Sequence, residues 1–121
     1  MEAKYKDLIQ RLIKSTKEGY VEWKKSSTEC QYRLELKSAT FVIDESQIQL
    51  DQYSIETSYE LTMYNNSNVE ISIAKESDTV KNSDDYALLY ELYCAAEDSC
   101  LKETETIKKV MAELDSLDLP F

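Results

Sequence analysis

The stretch YSIETSYELTMYNNSNVEISI, Tyr53 to Ile73, decides the fold. Tyr53, Ile55, Tyr59, Leu61 and Met63 fall on one side of an extended chain, with Thr57 in the same row. Glu56, Ser58, Glu60 and Thr62 fall on the other. A period of two is the signature of a strand with one buried face. Asn65-Asn66-Ser67-Asn68 supplies a turn from residues that tolerate positive φ, and Val69, Ile71 and Ile73 resume the alternation. The whole reads as a β-hairpin with an apolar and a polar face.

The same period extends upstream. Cys30, Tyr32, Leu34 and Leu36 alternate with Gln31, Arg33, Glu35 and Lys37, predicting a strand whose apolar row includes Cys30. A further strand is expected over Thr40 to Ile43. Asp44-Glu45-Ser46 is expected to end it, leaving Ile48 and Leu50 as a short edge segment.

Helices flank this region. Tyr5, Leu8, Ile9, Leu12 and Ile13 have the spacing of one apolar stripe, predicting a helix over 2–18 that stops at Gly19. Near the other end, Leu89, Leu92, Tyr93, Ala96 and Cys100 form a second stripe, and Ile107, Val110, Met111, Leu114 and Leu117 continue it. Asn82 or Ser83 serves as N-cap, with Asp84-Asp85 favourably placed in the first turn and Pro120 at the close. One unbroken helix over 83–117 would run roughly 50 Å. The apolar spacing lapses between Ser99 and Thr106, so a bend or break is expected there. The predicted architecture is a single α+β domain, 1–121. An antiparallel meander of three to five strands is covered by an N-terminal helix and a long C-terminal one.

Composition narrows the functions. The 121 residues carry a net charge of −10, with one glycine, one proline and no histidine. Residues 1–37 are mildly basic and the rest strongly acidic. This disfavours direct binding to phosphate backbones. Without histidine, the Ser-His-Asp and Cys-His catalytic sets and most zinc and iron ligand sets are removed. A single glycine leaves no phosphate-cradling loop. The carboxylate pairs Asp44-Glu45, Asp84-Asp85 and Glu97-Asp98 lack calcium-loop spacing. No catalytic residue, metal site, cofactor or small-molecule substrate is expected, and the chain reads as a non-enzyme. No apolar run is long enough to span a membrane. The odd set of cysteines, Cys30, Cys94 and Cys100, suits a reducing cytoplasm.

The candidate partner-binding surface lies on the C-terminal helix. Tyr86, Tyr90 and Tyr93 are spaced along one side of it, amid Asp84, Asp85, Glu91, Glu97 and Asp98. Tyrosine combines an apolar body with a polar tip and is enriched in interfaces. The first functional expectation is therefore a non-enzymatic protein-interaction module with a protein partner, a second copy of the chain being one such partner. A second is an acidic anti-defence inhibitor that mimics nucleic-acid charge, and a third is a dimeric acidic export chaperone.

KEGYVEWKK, Lys17 to Lys25, holds the only glycine and the only tryptophan. It is expected to form a helix-to-sheet corner, with Gly19 ending the helix and Trp23 packed inward. Thr16-Lys17-Glu18-Gly19-Tyr20-Val21-Glu22-Trp23 follows the pattern T-K-x-G-x-V-x-W. With the helix before it and the meander and acidic helix after it, the chain resembles small bacterial and phage proteins of unknown function. The resemblance implies a bacterial or mobile-element setting and transfers no site residues.

Overall fold

The computed structural model describes residues 1–79 and 83–117. Helix α1 (Ala3–Lys17) opens the chain. Five strands follow: β1 (Lys24–Lys25), β2 (Gln31–Glu35), β3 (Ala39–Gln49), β4 (Ile55–Asn65) and β5 (Glu70–Ser77). Two helices, α2 (Asp84–Leu101) and α3 (Glu103–Ser116), complete it. The strands lie in sequence order, each antiparallel to the next, so the α+β meander expected from the alternation is present with five strands.

The alternation sets the register. Leu34, Phe41 and Met63 line up across β2, β3 and β4, as do Tyr32, Ile43 and Leu61, with Ala74 continuing the second row on β5. Most of these side chains are buried. A bulge opposite Leu61 and Thr62 lets β5 present Ile73 and Ala74, consecutive residues, to the core. In the β4–β5 turn the Asn65 side chain accepts from the amides of Ser67 and Val69, at 2.9 and 3.0 Å, and Asn68 takes φ 60°. The tight turn is thus made without glycine.

Helix α2 is the centre of the molecule. Leu89, Leu92 and Ala96 are fully buried, and the helix touches all five strands and α1. Its apolar residues occupy two sides because it is covered on two sides. Ser83 caps it, its hydroxyl accepting from the Tyr86 amide at 3.1 Å. The alternative cap Asn82 and the terminal Pro120 lie outside the described residues. Helix α1 lies along α2 through Ile9, Leu12 and Ile13. Lys17 on α1 bonds Glu91 on α2, and residues flanking the helices add two further links, the Met1 amino group to Asp85 and Lys102 to Glu22.

The KEGYVEWKK corner is a structural joint. Gly19 adopts φ 80°, and Trp23 is 2% exposed. The indole Nε1 donates to Thr16 Oγ1 at 2.9 Å, and the Thr16 hydroxyl donates to the Leu12 carbonyl at 2.6 Å. The Trp23 amide donates to Ser99 Oγ on α2 at 3.0 Å. One side chain and one amide thereby tie α1, the first strand and α2 together.

Four expectations are corrected. β3 runs unbroken through Asp44-Glu45-Ser46, because β4 pairs with it from Ala39 to Gln49. The hydrogen-bond ladder overrides the weak strand preference of those residues. Cys30 is exposed at φ 56° just before β2, a turn residue and not a core one. Tyr53 is 88% exposed in the β3–β4 connection, outside the buried row of β4. The chain does break within the expected interval, at Lys102, which takes φ 54°; beyond it, however, the apolar stripe of α3 buries nothing.

The corner yields a stability ranking for urea denaturation. Trp23→Ala is expected to cost about 3–5 kcal/mol, as large aromatic truncations in cores do. Thr16→Val leaves the buried indole N–H unpaired and is expected to cost about 1–3 kcal/mol. Gly19→Ala meets no atom within 4 Å and is expected to cost about 1–2 kcal/mol from backbone strain alone. An unchanged melting temperature for Trp23→Ala would return that residue to the candidates for ligand contact.

Candidate functional site

The tyrosines expected on α2 do gather, but around a residue of the sheet. The Tyr59 ring on β4 lies 5.1 Å from Tyr93, 5.6 Å from Tyr86 and 5.6 Å from Tyr90, centroid to centroid. Tyr32 on β2 extends the cluster, 5.5 Å from Tyr93. Spacings and tilts of this kind suit the aromatic quadrupole. Tyr59 and Tyr93 are buried, Tyr86 is half-buried, and Tyr90 is 49% exposed. Most of the cluster is therefore the seam between sheet and helix, and Tyr90 is its solvent edge. Tyr32 and Tyr59 were visible in the sequence only as members of buried strand rows; their meeting with α2 is a long-range consequence of the meander.

Two carboxylates anchor the phenols. Tyr59 Oη donates to Glu45 Oε2 at 2.7 Å, and Tyr32 Oη donates to Glu97 Oε2 at 3.3 Å. Burial, with Glu45 next, raises the pKa of Tyr59; burial, with Glu97 next, raises that of Tyr32. Tyr93 and Tyr86 are also raised, first by burial. Phenols held protonated beside carboxylates donate hydrogen bonds and are poor bases. They stabilise the seam.

The acidic residues of α2 are placed individually. Asp85 receives the N-terminal amino group at 3.1 Å and Lys6 at 3.8 Å, and Glu91 receives Lys17 at 2.8 Å. Glu97 holds Tyr32. Asp98 Oδ1 accepts from the backbone amide of Thr104 at 3.1 Å and from its hydroxyl at 2.8 Å, so it caps α3 across the break. Asp84 is exposed in the first turn of α2. Five of the eight candidate residues thus serve internal contacts or the core: Asp85, Glu91, Tyr93, Glu97 and Asp98. Tyr90, Asp84 and part of Tyr86 are left facing solvent.

A different surface emerges beyond the break. Ile107, Val110, Met111, Leu114 and Leu117 are each between 45% and 55% exposed, and no residue of α3 is buried. They recur every three or four residues, making one stripe along three turns. The sequence does reveal this stripe, but its periodicity is the same whether the stripe is covered or bare. A groove of about 430 Å³ separates α3 from the corner, and it mixes charges: Lys17, Lys102 and Lys108 face Glu18, Glu22 and Glu105.

On the outer face of the sheet, Asp44, Glu60 and Lys75 align across β3, β4 and β5. Burial raises the Asp44 pKa, Glu60 adds to the rise, and Lys75 opposes it. Among the described residues, no group of three His, Cys, Asp or Glu side chains is arranged to hold a metal ion. No helix among them is long and apolar enough to cross a membrane.

No protein-family model matches the chain, and no curated protein or solved structure matches it.

Two measurements check these environments. Tyr59→Phe removes a hydrogen bond to a charged acceptor and is expected to cost about 1.5–3 kcal/mol in urea denaturation at neutral pH. The buried phenols ionise near pH 10 once unfolded but resist ionisation in the fold. Stability should therefore fall as pH rises past about 10, and phenolate absorbance should appear in step with unfolding. Normal titration of every tyrosine without loss of structure would contradict the burial. For Asp44 the raised value means that the folded state holds its proton more tightly than the unfolded state. Stability is lost as pH climbs from the usual aspartate range, and Asp44→Asn should raise the melting temperature slightly at pH 7 but not near pH 3. A drop at pH 7 would contradict this.

Proposed function

We propose that this chain is a non-enzymatic protein-interaction module of a bacterium or phage, working in the cytoplasm, with α3 as its docking element. The observation that carries the reading is the bare stripe of α3. The other two amphipathic elements, α1 and α2, spend their apolar faces on the core, whereas α3 spends none. A contiguous exposed apolar strip on an otherwise strongly charged protein marks a place where another surface belongs. Tyr90 and Asp84 are secondary contacts under this reading, being the members of the tyrosine and acidic sets that face solvent.

The alternative of an acidic inhibitor that mimics nucleic acid draws less support. It needs carboxylates aligned on one open face, yet Asp85, Glu91, Glu97 and Asp98 are engaged in internal contacts. A dimeric chaperone would use the same α3 surface and is a special case of the proposed reading.

The test replaces two residues of the stripe, Val110→Glu with Leu114→Glu. Neither side chain contributes to the core, so unfolding free energy should stay within about 0.5 kcal/mol of the parent. In-cell cross-linking in the native host should lose its partner adducts with the substituted protein. Adducts that persist at full strength would move the interface away from α3.

A further inference from the structure

We infer that the edge of β3 from Ser46 to Gln49 takes up an extended segment of another protein as an added strand, and that this segment alternates basic with apolar residues. The surface is separate from α3 and goes beyond the reading given above.

The pairing pattern leaves this edge open. β2 covers β3 only as far as Asp44, opposite Gln31, and the Glu45 amide donates to the Cys30 carbonyl at 3.0 Å. β4 continues beside β3 to Gln49. The Glu45 amide therefore points to the β2 side, and every second residue of a strand repeats that direction. The N–H and C=O groups of Gln47 and Gln49 point the same way. Their partners on β4 agree: the Thr57 carbonyl accepts from the Asp78 amide at 3.0 Å, and its amide donates to Asp78 Oδ1 at 3.2 Å. Thr57 thus turns its backbone away from Gln47, its neighbour across the pair. Among the described residues, no strand pairs with Gln47 or Gln49 on their open side.

Proteins ordinarily guard such edges with lysine, proline or a bulge. Ser46-Gln47-Ile48-Gln49-Leu50 has no charged residue and no proline, and β3 pairs with β4 there without a register shift. All five residues are exposed.

The two faces of this arm specify what the added strand carries. From Asp44 to Glu60 the chain has five acids and neither lysine nor arginine. Asp44, Glu56 and Glu60 lie on the outer face of the sheet, which Ile48 shares, whereas Glu45 is turned inward and holds Tyr59. Lys75 stands across from Glu60 on β5, two strands from the open edge. A lysine placed beside Ile48 lays its apolar stem on that exposed side chain and carries its ammonium toward Glu56, directly across from Ile48. The inner face presents Gln47, Gln49 and Ile55, and Ile55 is more than half exposed, so the alternate residues of the added strand are apolar. The same acids set a second copy's arm, a nucleic acid or an anionic bilayer against like charge.

The probe is a synthetic peptide of about six residues, a typical strand length, alternating lysine with valine. It is titrated into the isotope-labelled chain to about 1 mM, the scale on which weak association is read by nuclear magnetic resonance. The amide signals of Gln47 and Gln49 should shift and their exchange with solvent should slow, while those of α3 stay in place. Gln47→Pro removes an edge donor that β4 does not use and should weaken binding about tenfold. Glu56→Lys should weaken it about two- to fivefold. A fully N-methylated form of the peptide tests the edge without touching the fold: it keeps the charges, offers no backbone donor and should not bind.

Unshifted Gln47 and Gln49 signals at about 1 mM peptide overturn the proposal. Equal binding of the N-methylated form overturns the added strand, and equal binding of a peptide alternating glutamate with valine overturns the basic partner. Shifts at Gln47 and Gln49 that follow the chain's own concentration, with no peptide present, overturn it by giving the edge to a second copy. Each of these results leaves the reading of α3 to its own cross-linking test.

Discussion

The burial of α2 between α1 and the sheet is the constraint on which the rest of the molecule depends. Leu89 and Leu92 are wholly removed from solvent, and full burial of such side chains is worth about 1.5–3 kcal/mol each. Because α2 touches every strand, it fixes the sheet's inner face; because it touches α1, it fixes where that helix lies. The tyrosine seam follows from the same packing. Once α2 lies over β4, Tyr86, Tyr90 and Tyr93 gather on Tyr59, with Tyr32 beside Tyr93, and Glu45 and Glu97 supply acceptors for hydroxyl groups that would otherwise be costly to bury.

The corner at Trp23 makes this arrangement specific. An amphipathic α1 could slide along α2, since apolar contact is not directional. The indole hydrogen bond to Thr16 and the amide hydrogen bond to Ser99 remove that freedom. At the same end of α2, Asp98 and Lys102 do the reverse. Lys102 in the left-handed conformation ends the helix, and Asp98 starts the next one in a new direction. The core stops at that point, which is why α3 is bare.

Much of this was legible in the sequence, for physical reasons that vary by element. The β4–β5 hairpin was readable because one buried face enforces a period of two and because Asn65 and Asn68 suit the turn. The helix break was readable because apolar spacing lapses between Ser99 and Thr106. Asp44-Glu45-Ser46 has the local character of a terminator, yet pairing along the whole of β4 carries β3 through it. The acids of α2 have the pattern of a surface set, but their partners, Lys6, Lys17, Tyr32 and Thr104, stand far away in sequence or across a break. The exposure of α3 could not be seen at all, since periodicity records a face and not what covers it.

Native-state hydrogen exchange at dilute concentration tests most directly the claim that the core ends at Lys102. The amides of α2 around Leu89 and Leu92 should exchange only through global unfolding, with a denaturant dependence equal to that of the whole chain. The amides of α3 from Ile107 to Glu113 should exchange through a smaller opening that leaves α2 protected. Exchange of both helices in one cooperative step, with equal protection, would contradict the account.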